Sequence, residues 1–355
     1  MSQSSQPVWA TLQQAGLVQG NAPIPAQPES PWFVKVLLAF SGWLASLFLL
    51  GFLGAGFEVI FRNTVASAIT GSVMIGAAYF ILRIPKNEFV EHIGLAVSLA
   101  GQALITWSLF QGLNNDKLAW IILALLQAGL AVVMPNFIHR VFSSFIAAFS
   151  FSMALTQFGA PYIFSSIVMF IAAWLWLHEF HFPKHIRKIH ALGYGAVLGL
   201  IQLKSFDLFG IHHLGWSMGR MNTELWVRPW MAEVLAGVVM VYVVWQLLQR
   251  MGHRLSAPLA STALLGTVIL SAVSVEAPGI TVGMMILLLG FAGSNRVLMG
   301  LGIISLLFYI SAYYYLLDAT LLMKAETLLV TGMVLLLVRW LLLKIIHREK
   351  GATHG

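Results

Sequence analysis

No cysteine occurs in the 355 residues. Disulfides, thiolate catalysis and cysteine-based zinc or iron–sulfur sites are therefore excluded. Charge is also scarce: Asp, Glu, Lys and Arg make up 9% of the chain, against about 25% in a soluble globular domain. A phosphate-binding loop, a dinucleotide fingerprint, a nucleophile elbow and an H-x-E…C-x-x-C pattern are likewise missing. No catalytic residue, metal centre or cofactor is expected on these grounds, and nucleotide-driven work would have to come from another chain. The formal charge is +7, but its cations lie scattered in ones and twos. A nucleic-acid footprint would be a stripe or patch, so nucleic acid is not an expected partner.

What the chain has is apolar sequence, 59% of it hydrophobic. Part of any compact body must face water, and a soluble fold of this size could not hide so much apolar surface. Lipid must be the solvent for much of the chain. A membrane helix needs about 20 mostly apolar residues to cross about 30 Å of hydrocarbon. That ruler marks spans near 34–57, 64–84, 89–112, 117–135, 138–158, 161–180, 188–205, 229–249, 257–275, 278–294, 297–317 and 325–346. The expected fold is thus all-α, a polytopic membrane helix bundle of about 12 spans. Barrel strands would be short and alternating. The span at 278–294 holds Gly279, Gly283, Gly290 and Gly293 and reads as loose enough to be broken or re-entrant.

Three regions follow: a tail at 1–33, a bundle at 34–346 with one long polar connection at 204–228, and a short tail at 347–355. The opening segment is polar, with Pro7, Pro23, Pro25 and Pro28, and does not read as a cleavable signal, which needs an apolar core. Val8 to Val18 reads as a short helix ended by Gly20 and Pro23. Assigning each Lys and Arg to the nearer span end leaves Arg62, Lys117, Lys204, Arg220, Arg228 and Lys324 on one side and the other fourteen of the 20 on the side of both termini. By the positive-inside rule both termini are then cytoplasmic, and 204–228 faces outward.

That outward stretch carries Asp207, His212, His213, Arg220 and Glu224, a candidate exterior site whose residue types suit acid–base chemistry. Packing of the histidines with Trp216, Trp226 and Trp230 at the headgroup level is the plainer reading. Within the spans, Gln102, Gln127, Gln202, Glu233 and Gln246 are the candidate intramembrane polar residues, with Gln157, Thr106, Thr262, Thr267 and Ser271 beside them. They read as interhelical hydrogen bonds or as a path for a small solute. No charge sits deep in a span, Glu233 coming nearest, so a buried ion pair is not expected. The histidines of HEFHFPKHIRKIH at 178–190 miss metalloprotease spacing, because position 182 is Phe and Pro183 interrupts the helix. They read as a basic interfacial loop beside anionic headgroups. Small residues four apart or nearly so, at Gly42 and Ala45, Gly51 and Ala55, Gly195 and Gly199, and Gly279 and Gly283, are expected to let helices approach closely.

The juxtaposition PWFVKVLLAFSGWLASLFLLGFLG at 31–54 resembles the start of a family of bacterial polytopic inner-membrane proteins known only as a domain of unknown function. The resemblance implies a multi-pass protein of the bacterial inner (plasma) membrane and a multi-protein assembly, but no activity. Three functional readings remain open: a non-enzymatic component of a membrane complex or transport-related assembly, partnered by the bilayer and by another membrane protein; a stand-alone secondary transporter of a small solute; and a membrane enzyme at the outer face. Topology is the first thing to measure. Compartment-sensitive reporters fused at Met1 and at Gly355 should report the same side; opposite sides would overturn the even span count.

Overall fold

The computed structural model describes residues 31–56, 58–84, 88–160, 162–209, 229–251, 258–275 and 277–316, with residues 11, 13–16 and scattered positions between 320 and 340. Among the described residues every regular element is helical. In chain order these are α1 (Trp32–Gly56), α2 (Glu58–Arg62), α3 (Thr64–Arg83), α4 (Glu88–Gly112), α5 (Asp116–Val133), α6 (Phe137–Gln157), α7 (Ile163–Leu177), α8 (Ile186–Phe209), α9 (Pro229–Arg250), α10 (Pro258–Val273), α11 (Ile280–Ala292) and α12 (Arg296–Leu316). Each stretch expected to be a span, from 34–57 through 297–317, holds a helix. The stretch at 325–346 lies largely outside the described residues. Of the short helix expected at 8–18, residues 11 and 13–14 are helical. The chain turns there at Gly16, whose φ is 69°, earlier than the Gly20 stop expected.

Among the described residues six helices are long and apolar enough to cross a membrane by length and composition, and three shorter apolar helices accompany them. The protein is a helical membrane protein. α11 has 13 residues, a rise of about 20 Å at 1.5 Å per residue, less than the ~30 Å of hydrocarbon. Of the four glycines that made 278–294 look loose, Gly283 and Gly290 lie within α11 and two bracket it. Gly279, at φ 96°, precedes its first turn, and Gly293 follows its last.

Asparagine starts four of the helices. The Asn63 side chain accepts hydrogen bonds from Val65 N at 3.0 Å and Ala66 N at 3.1 Å. Asn115 does the same for Leu118 N, Asn136 for His139 N and Asn295 for Leu298 N. Each satisfies backbone donors that a helix start leaves without partners.

Packing is decided by glycine. A Cβ on Gly195 of α8 would lie 2.5 Å from Val141 O and from Ser144 Cβ of α6, and one on Gly199 would lie 2.8 Å from Ala148 Cβ. The two helices therefore run parallel in near contact, the arrangement expected of the 195–199 pair. Gly71 and Gly101 give the antiparallel helices α3 and α4 an equally close approach, each Cβ position falling within 2.7 Å of the other's carbonyl oxygen. Gly279 lies against the Tyr309 ring and Gly283 against Leu306, which seats the start of α11 on α12. Gly51 differs: a Cβ there would meet nothing within 4 Å among the described residues. The larger core joins Val168, Met169 and Trp176 of α7, Val197 and Leu200 of α8, Met240 of α9, and Met285 and Ile286 of α11. A smaller one joins Ile75 of α3 with Leu130 and Met134 at the end of α5. Phe48, Phe52, Phe80, Val238, Ile304 and Leu307 are exposed, the surface that lipid would cover.

Gly195→Ala should cost about 1–3 kcal/mol by overpacking, read as a lower melting temperature in mild detergent. Gly129→Ala, where a Cβ meets nothing within 4 Å, should be neutral or stabilising by up to about 1 kcal/mol through helix propensity.

Candidate functional site

α8 does not stop where its polarity suggests. It continues to Phe209, so residues 204–209 are helix, and the outward stretch expected at 204–228 starts later. Lys204, counted among the outward-facing cations, is 1% exposed. Its Nζ lies 2.6 Å from Glu233 Oε1 and 3.4 Å from Asp207 Oδ2. Glu233 is 3% exposed and sits in the second turn of α9. Asp207 is one helical turn beyond Lys204, with its side chain 16% exposed. The absence of a buried ion pair expected from the sequence is thus corrected. Three charged side chains, each at a helix end, meet inside the protein.

Neighbouring helices complete this centre. Ser166 of α7 donates its hydroxyl to Ala232 O at 2.9 Å, holding the Glu233 turn against α7. Tyr309 of α12, wholly buried, donates to Ile201 O at 2.9 Å, and the Gly279 turn presses on its ring. Ser165 and Tyr162 lie beside Asp207. Glu233 Oε2 and Asp207 Oδ2 are buried without a hydrogen bond among the described residues. With all three groups ionised, two carboxylates face one ammonium, and the centre carries a net negative charge. Burial disfavours that state; binding one proton would neutralise it.

A second centre is neutral. Gln102 and Gln127, both expected as intramembrane polar residues, meet: Gln127 Nε2 donates to Gln102 Oε1 at 2.9 Å. His139 joins them. Its Nε2 is 2.6 Å from Ser98 Oγ and 3.0 Å from Gln102 Nε2, and its Nδ1 is 3.3 Å from Ser143 Oγ. An amide nitrogen only donates, so with this amide orientation Nε2 accepts and the ring proton sits on Nδ1, toward Ser143. All five residues are buried, and they tie α4, α5 and α6 together. Sequence reasoning passed over His139, although the Asn136 cap three residues earlier marks it as inside a helix start.

The remaining candidates do not converge here. Gln202 and Gln246 are half-buried, and Gln202 Oε1 has no partner. Thr106 and Thr267 donate to carbonyls of their own helices, Gln102 O and Ala263 O. His212, His213, Arg220 and Glu224 lie outside the described residues. In the 178–190 segment Glu179 is buried and His190 Nε2 lies 2.7 Å from its Oε2. His190 stacks on Trp176, and His178 on Trp174.

Lys204→Met should destabilise by about 3–5 kcal/mol, since it strands two buried carboxylates. Glu233→Gln should cost much less, because Lys204 keeps Asp207. The combined variant Lys204→Met/Asp207→Asn/Glu233→Gln should recover most of the loss. Thermal melting in detergent gives the order, and equal losses in the first two variants would contradict it.

No curated protein and no solved structure matches the chain. A family model matches residues 31–345, from the Pro-Trp start of α1 through every fully described helix. The chain therefore belongs to the family described as Domain of unknown function (DUF4401).

Proposed function

We propose that this chain is a transport-related protein of the bacterial inner membrane, with about twelve spans and both termini cytoplasmic, and that it moves a small solute coupled to a proton exchanged at the centre that Lys204, Asp207 and Glu233 form. The observation that carries the reading is the buried arrangement of one ammonium and two carboxylates, Lys204 Nζ at 2.6 Å from Glu233 and 3.4 Å from Asp207. Ionisable groups buried in a membrane protein are costly and mark ion pathways and proton relays. Lys204 fills the place between the carboxylates that a metal cation would need, so the exchangeable positive charge is a proton. The centre joins α8 to α9 and abuts α7 and α12, so a change in its charge state acts on four helices at once. The outer-face enzyme is less well supported, because Asp207, one of its acid–base residues, is committed to Lys204.

Proteoliposomes loaded with a pH dye and challenged with a panel of small solutes should show a solute-dependent proton flux. Asp207→Asn and Glu233→Gln should abolish proton-driven accumulation while leaving solute exchange. Transport that is independent of pH and unchanged in both variants would refute the coupling.

A further inference from the structure

The opposite end of α8 gathers positive charge that makes no ion pair among the described residues. α6 and α8 run parallel, as the Gly195–Val141 and Gly199–Ala148 contacts require, so their first turns share one end of the bundle. Arg140 in the first turn of α6 is 8% exposed. Its Nε is buried without a hydrogen-bond partner among the described residues, and Arg187 of α8, another cation at the same end, acts on it electrostatically. A buried guanidinium facing a like charge is unfavourable unless an anion joins the two, and arginine's planar fork suits phosphate.

The adjoining segment supplies the rest of a lipid site. Two short 3-10 turns, Glu179–His181 and Pro183–His185, shape the link from α7 to α8. The only acid in this link, Glu179, is turned inward onto His190. What faces outward is Phe180, 70% exposed, with Phe182, Lys184 and Lys188. Exposed aromatic rings beside cations match the boundary between acyl chains and anionic headgroups.

We infer that Arg140 and Arg187, with Lys184 and Lys188 at the rim and Phe180 and Phe182 reaching toward the acyl region, form a binding site for the phosphate headgroup of an anionic phospholipid. The site is separate from the Lys204 centre, at the other end of α8, and does not depend on the transport reading.

The test uses the full chain in mild detergent, with phosphatidylglycerol, phosphatidylcholine or inorganic phosphate added at matched ionic strength. Bound lipid is read by native mass spectrometry and stabilisation by thermal melting. Phosphatidylglycerol should remain bound and raise the melting temperature, and phosphatidylcholine should do neither. Arg187→Gln and Lys188→Gln, both at exposed positions, should each weaken phosphatidylglycerol binding by roughly fivefold. Arg140→Gln should abolish the preference. If that buried variant fails to fold, the exposed pair decides. Lys117→Gln is the control. It starts α5, which is antiparallel to α6 across a short turn, and so lies at the other end; it should change nothing. Equal binding of the two lipids would overturn the inference, as would stabilisation by inorganic phosphate alone equal to that of the lipid.

Discussion

The Lys204 ammonium cannot be left bare in a low-dielectric interior, and much of the surrounding architecture follows from that requirement. Its anionic partners come from two helices, Asp207 one turn along α8 and Glu233 from α9. Bringing Glu233 within 2.6 Å fixes the start of α9 against the end of α8. The Ser166–Ala232 bond then carries α7 into the same layer, and Tyr309 closes the centre from α12. The largest apolar core, spread over α7, α8, α9, α11 and α12, adjoins this polar centre. Packing and charge compensation thus act on the same helices.

The α3–α6 region meets a different demand with neutral groups. Ser98, Gln102, Gln127, His139 and Ser143 exchange hydrogen bonds among themselves, and this network holds no ion pair. Such a network can hold helices in one register in lipid, where apolar surface alone does not distinguish a neighbouring helix from an acyl chain. The two centres therefore differ in what they can do. The neutral one fixes geometry. The charged one has a protonation state to change, and each of its carboxylates keeps an oxygen without a hydrogen bond among the described residues.

α8 links these regions to the anion-seeking end. It packs on α6 through Gly195 and Gly199, carries Arg187 at its start and places Lys204 and Asp207 at its finish. Its mixed character, with glycine in the middle and charge toward both ends, explains why apolarity alone measured it too short.

Helix positions were legible in the sequence because a long apolar run in lipid has little choice: its backbone must satisfy its own hydrogen bonds. The spacing of Gly195 and Gly199 also announced a close helix contact, and 31–54 pointed to the family. Gln102 and Gln127 could be named as buried polar residues, but not as partners of each other or of His139. The ion centre was not legible. Lys204 and Asp207 look like the polar border of a loop, and Glu233 like a residue near a span end. Glu233 is separated from Lys204 by 29 positions, and a linear sequence shows neither that α8 continues to Phe209 nor which face of α9 turns toward it. The apolar pattern by itself determined that the chain is helical and lives in a membrane, because transfer of apolar surface is a local property of each segment. Which charges find one another was decided only by tertiary structure, because pairing depends on the rotation and offset of whole helices, and these are set by packing among segments distant in the chain.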